Sequence, residues 1–199
     1  MKKNIAGSIS LVMIIMIFSR LLSLVSVQVY MAFYGASDPY LNIYSYAVSV
    51  PNIIFTCFGT ALSTVVIPIY AGYIANKKQD LAKTFADNLI TITFVFTAGL
   101  VLVGIAISPL LPRLTELGDY DFAAKALMIM MPVMLFYGLN YIFQGMLQSN
   151  GKYSWPAFVS VPSSLVVIAY VILLGDRYGT TGLLVATFIG LSLQAIILI

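Results

Sequence analysis

Six apolar stretches, each long enough to cross a bilayer, alternate along this chain with short connections rich in charged residues, Gly and Pro. They run over residues 5–33, 40–72, 81–108, 121–148, 153–174 and 180–199, where about 20 residues of helix suffice for a hydrocarbon core of roughly 30 Å. Hydrocarbon offers backbone amides no partner, so a spanning segment must be a helix or part of a closed barrel. The two-residue alternation of barrel strands is missing. The pattern therefore predicts an all-α, polytopic membrane protein with six transmembrane helices. The connections at residues 35–39, 76–80, 109–120, 149–152 and 175–179 carry turn chemistry.

Polar residues inside the stretches are not scattered. At about 100° per residue, Asn42, Ser45, Ser49, Asn52, Thr56, Thr60 and Ser63 fall within one narrow sector of the second helix. Ser8, Ser19, Ser23, Ser26 and Tyr30 make a thinner stripe on the first, with Arg20 on its flank, and Tyr137, Asn140, Gln144 and Gln148 make a third on the fourth. Such stripes let helices approach closely and hydrogen-bond to one another, or they line a hydrated cavity. Arg20 is the one formal charge deep within a span. Burial there costs roughly 3 kcal/mol, so the side chain is expected to face a cavity or partner, or to snorkel. Its fork of donors suits a phosphate. The candidate substrate-contacting residues are Arg20, Ser23, Ser26, Asn42, Ser49, Asn52 and Thr56.

Pro51 and Pro68 interrupt the second stretch, with Gly59 between them, and Pro132 breaks the fourth. Each is read as a hinge or as a static kink. At about 1.5 Å per residue the second helix would be near 50 Å long, so it must tilt, kink or protrude. Gly182, Ala186 and Gly190 form a ridge of small residues suited to helix packing.

Composition narrows the function. Of 199 residues 61% are hydrophobic and 9% charged, against roughly 25% charged in soluble domains. A net charge of +3, thinly spread, makes no nucleic-acid-binding face. With no His, one Cys and seven carboxylates, most enzyme constellations lack their parts and neither an acid–base pair nor a metal cluster is visible, so no enzyme, metal site or cofactor is expected. Cys57 is expected to be a buried small apolar residue. Lys2 and Lys3 precede an apolar run as in a signal peptide, but no small-residue cleavage site follows, and the segment is read as a retained span. A cytoplasmic amino terminus puts Lys2, Lys3, Lys77, Lys78, Lys83 and Lys152 on the cytoplasmic side, against Arg113, Lys125 and Arg177 outside. That asymmetry favours this orientation, with both termini in the cytoplasm.

Two blocks of sequence carry a family resemblance. Phe18-Ser19-Arg20, the Gly35-Ala36-Ser37 turn, Val50-Pro51-Asn52-Ile53-Ile54, Gly59-Thr60-Ala61-Leu62-Ser63-Thr64 and Ile67-Pro68-Ile69-Tyr70 resemble, in order and spacing, the start of the MurJ/MviN lipid II flippases. Residues 143–153, from Phe143 to Tyr153, with Pro156-Ala157, resemble the connection between that family's fourth and fifth spans. The resemblance implies a lobe of the multidrug/oligosaccharidyl-lipid/polysaccharide exporter superfamily, in which two six-helix lobes rock around a central cavity. Family members have about fourteen spans, so this chain is expected to be the N-terminal lobe, over residues 1–199, with the C-terminal lobe as its partner outside the sequence. It also implies a lipid-linked precursor as substrate, with its diphosphate and sugars in a cationic cavity and its tail among the lipids of a bacterial cytoplasmic membrane. Arg20 falls on a family arginine position.

Other positions depart from the family pattern. Ser26 and Val27 stand where an Arg and an acid are common, Phe55 and Thr56 where arginines are frequent, and Asn42 where an Asp is frequent. This lobe offers one cavity cation where relatives often have several. The leading expectation is a flippase for lipid II or a similar polyprenyl-diphosphate sugar. The alternatives are a polysaccharide-repeat or multidrug exporter of the superfamily, the latter disfavoured by the lack of an acid deep in any span, and a non-transporting scaffold.

Overall fold

The computed structural model describes residues 2–115 and 117–198, with side-chain surroundings from Ser10 onward apart from Ser63. Seven α-helices are found among them: α1 (Lys2–Tyr34), α2 (Pro39–Ala75), α3 (Gln79–Ile107), α4 (Tyr120–Met130), α5 (Val133–Ser149), α6 (Ser154–Phe158) and α7 (Ser160–Leu198). A single 3-10 turn, Leu111–Leu114, lies between α3 and α4. The side chains of Ser8 and Ser63, which the sequence assigns to polar faces, lie outside the described residues.

Local chemistry explains the boundaries. The Asp38 carboxylate accepts from the backbone N–H of Tyr40 at 2.7 Å and of Leu41 at 3.4 Å, while Pro39 fills the first helical position, where no N–H is needed. Asp38→Ala is expected to cost about 1 kcal/mol, read as a lowered thermal midpoint in detergent. The α4–α5 break falls at Met131 and Pro132, where bonds from Met134 N–H to the Met131 carbonyl and from Leu135 N–H to the Pro132 carbonyl replace the regular pattern. Pro51 and Pro68, by contrast, sit inside an unbroken α2.

Where six separate helices are expected, five helices long and apolar enough to span are found among the described residues, because the last two expected spans are joined into one element rather than lost. The fifth, Ser154–Leu198, contains both of the last two expected stretches. Only Gly179, at φ 55° and ψ −149°, departs from helical geometry there, so no loop separates them. The chain nevertheless turns back at that residue. Gln194 donates from Nε2 to Ser163 Oγ at 2.6 Å, although 31 residues of straight helix would hold them about 46 Å apart. α7 is thus a hairpin of two antiparallel arms, residues 160–178 and 180–198. The small-residue ridge performs the packing expected of it: Gly182 lies against the Tyr170 ring and Gly190 against Ser163.

α5 is the hub and is flanked by α2, α3 and α7. Fully buried Phe55 of α2 meets Tyr137 and Tyr141 with ring centroids 6.2 and 5.6 Å away, Gly138 abuts Thr93 and Thr97 of α3, and Phe136 packs edge-on against Phe188. Ser149 donates to the Ile67 carbonyl, so α2 and α5 run toward the same end of the bundle, α2 about two turns further, and Lys77, Lys78 and Lys152 fall at that end. Tyr34 donates to the carbonyls of Gly175 and Gly179, and Tyr40 packs on Phe122, which gathers Asp38, Asp119 and the α7 reversal at the other end. The two ends therefore differ in charge as the sequence pattern expects.

Candidate functional site

α2 has one packed face and one open face. Leu41, Tyr44, Ala47, Phe55 and Val66 are buried against α4, α5 and α7, and Tyr44 shares a 2.9 Å hydrogen bond with Thr187. On the opposite side Asn42, Ser45, Ser49, Asn52, Thr56 and Thr60 are all exposed, and Thr64 continues the line. Thr56 donates to the Asn52 carbonyl at 2.7 Å, with Asn52 Oδ1 at 3.0 Å, and Thr60 and Thr64 donate to carbonyls four residues earlier. These bonds leave each hydroxyl oxygen available as an acceptor. The side chains of Asn42, Ser45 and Ser49 make no hydrogen bond among the described residues. This is a ladder of amides and hydroxyls within a helix of spanning length that no other described residues cover.

Cys57 is exposed beside Thr56, not buried as its apolar character suggests, because α2 turns its packed face away from that position. Thr64, four residues after Thr60, is the member of this face that the sequence reading leaves out, and that spacing is the signal that finds it; Cys57 lies on its flank.

α1 takes a different course. It meets α2 near their connecting turn, where Tyr30 and Tyr44 pack edge-on at 5.4 Å, and otherwise leans on α6 and α7. The Ser19 hydroxyl donates to the Ala157 carbonyl at 2.8 Å, Ser23 shares a 3.1 Å bond with Ser164, and Ser26 donates to the Ser23 carbonyl. Ser19 and Ser26 are buried. The structure therefore separates the candidates into two groups. Ser23 and Ser26 serve the contact of α1 with α6 and α7, whereas Asn42, Ser49, Asn52 and Thr56 share the open face of α2.

Arg20 is exposed and makes no ion pair or hydrogen bond among the described residues. Counting from the Tyr30–Tyr44 contact, Arg20 lies about 15 Å along α1, and Asn52 and Thr56 lie about 12 and 18 Å along antiparallel α2. The guanidinium and the middle of the ladder thus share one depth. The third stripe is dispersed: Tyr137 packs on Phe55, and Asn140 is buried with its Oδ1 unpartnered.

Exposed apolar side chains cover other faces, including Ile92, Val95 and Leu102 of α3 and Ile172 and Leu173 of α7. With five helices of spanning length and composition, this is the exterior of a multi-pass membrane protein.

Comparison with known proteins agrees with this architecture. Residues 31–199 match the family model for the lipid II flippase MurJ. A probable lipid II flippase MurJ from Borreliella burgdorferi is 25% identical over 203 residues, covering 99% of this chain and 39% of that protein. One from Buchnera aphidicola is 25% identical over 175 residues, covering 84% of this chain and 34% of that protein. A solved structure of lipid II flippase MurJ in an inward closed conformation superposes with a TM-score of 0.76 at 26% identity, covering 94% of this chain and 40% of that one. The chain therefore spans about two fifths or less of the length of these relatives. Its helical order, its membrane-facing exterior and the family match over most of its length lead to one assignment: the chain belongs to the lipid II flippase MurJ family.

Proposed function

We propose that the chain is the N-terminal lobe of a flippase that carries a lipid-linked peptidoglycan precursor, lipid II or a similar polyprenyl-diphosphate sugar, across the bacterial cytoplasmic membrane by alternating access. The observation that carries this reading is the uncovered polar face of α2 with unpaired Arg20 at the same depth. Amides, hydroxyls and a guanidinium do not face hydrocarbon at that depth without large cost, so this face lines a water-filled path closed by a second lobe. Arg20 offers a two-pronged donor to the diphosphate. Asn42, Ser49, Asn52 and Thr56 offer acceptors and amide donors to sugar hydroxyls as the head group passes. Ser23 acts indirectly, by fixing α1 on α7, and buried Ser26 bonds back to the α1 backbone. Translocation makes and breaks no covalent bond, so the reading requires neither a catalytic group nor a cofactor. The lysine-bearing end, with the amino terminus, faces the cytoplasm.

The direct test is rescue. The intact protein is expected to restore growth and outward movement of the lipid-linked precursor in cells depleted of their own flippase, and failure to do so at normal membrane abundance would overturn the proposal. Cys57, the single cysteine of the sequence, supplies a second measurement. It is expected to react with a polar, membrane-impermeant maleimide at least about tenfold faster than a Leu102→Cys thiol on α3 in the Cys57→Ser background. The reactive thiolate forms only where water reaches. Equal rates would show that water does not reach the flank of the α2 polar face, against the proposal.

A further inference from the structure

A groove of about 580 Å³ runs between the two arms of α7, walled by Val166, Ala169 and Leu173 on one and by Val185 and Ile189 on the other, with Tyr178 at its mouth. It is separate from the polar face of α2. From Tyr178 to Val166 it follows about 18 Å of helix, close to the ~15 Å of hydrocarbon that one leaflet contributes. It therefore opens at the reversal end of the hairpin and ends near mid-membrane, the dimensions of a single acyl chain entering from that leaflet. Leu173 on its wall is 76% exposed, and none of the described residues covers it.

The mouth is chemically different from the walls. Arg177 is exposed, and its guanidinium lies 5.7 Å from the centre of the Tyr178 ring. Although Asp176 adjoins it in sequence, no ion pair engages Arg177 among the described residues. A tyrosine with an arginine beside it is the usual furnishing of the membrane–water boundary. A guanidinium that stacks on a ring and has no ion pair among the described residues matches a phosphate oxygen pair there. We propose that this groove is a binding site for an anionic phospholipid from the leaflet at the reversal end, with one acyl chain between the α7 arms and the phosphate on Arg177. A zwitterionic lipid could seat its chain equally well, but its cationic head group offsets the attraction of its phosphate, so selectivity resides in the head group. The proposal does not depend on what the α2 face transports.

The test uses the intact protein in vesicles doped with phosphatidylglycerol or phosphatidylcholine bearing a diazirine midway along one acyl chain, with crosslinked peptides mapped by mass spectrometry. Phosphatidylglycerol is expected to label the α7 hairpin about fivefold more than phosphatidylcholine does, in line with one basic residue near an anionic head group. Arg177→Gln removes that preference. Ala169→Trp, which fills the groove from an exposed position, lowers labelling of α7 several-fold without changing labelling around Leu102 of α3. The proposal is overturned if α7 is labelled no more than the Leu102 surface, as when another protein segment occupies the groove, or if the preference survives Arg177→Gln.

Discussion

Arg20→Ala in the intact protein is expected to abolish rescue of flippase-depleted cells while leaving the amount of protein in the membrane unchanged. The two halves of this expectation rest on the same observation. Arg20 is exposed and makes no ion pair or hydrogen bond among the described residues, so its removal breaks no such bond there and relieves the cost of holding a charge at membrane depth. A paired contact from the guanidinium to a diphosphate is worth roughly 3 kcal/mol, which corresponds to about a hundredfold in rate if it is made where the head group crosses. Arg20→Lys keeps the charge and loses the fork, and is expected to retain partial rescue. Full rescue by Arg20→Ala would remove this residue from the mechanism. Loss of the protein from the membrane would instead give Arg20 a structural role.

Gly190→Leu is expected to have the largest effect on stability. A Cβ at residue 190 would lie 2.9 Å from the Ser163 Cα and 3.2 Å from its carbonyl oxygen, and backbone cannot step aside as a flexible side chain can. Forcing the α7 arms apart costs roughly 1–3 kcal/mol for overpacking, with about 1 kcal/mol more from loss of the Gln194–Ser163 hydrogen bond one turn further on. Set against a total stability of about 5–15 kcal/mol, this is expected to lower the thermal midpoint in detergent markedly and to deplete folded protein from membranes. Gly99→Leu is the control. Nothing lies within 4 Å of a Cβ there, so its midpoint is expected to stay close to that of the parent protein.

Much of this architecture is legible in the sequence because a bilayer imposes it. Hydrocarbon demands saturated backbone hydrogen bonding, so apolar length alone locates most of the helices. Proline chemistry places the break at Pro132, and wheel geometry aligns Asn42 through Thr60 on one side of α2. What a wheel cannot supply is the neighbour each face meets. The serines of α1 have the same spacing as a lining stripe, yet Ser19, Ser23 and Ser26 turn to α6 and α7 or to α1's own backbone. Tyr137 and Asn140 likewise go into packing around Phe55 and the interior. Those outcomes depend on residues well over a hundred positions away for α1, and about eighty away for Tyr137. The residues 175–179 look like a loop because Gly, Asp and Arg cluster there, but a single glycine performs the reversal and its neighbours stay helical.

That economy at Gly179 bears on how the protein is made. Its backbone lies in a region that residues with a Cβ scarcely enter, so the two arms are joined without slack and contact each other along most of their length. The two arms, with Asp176 and Arg177 at their tip, are therefore expected to enter the bilayer as one helical hairpin, and an insertion of flexible residues at this corner is expected to let each arm integrate separately.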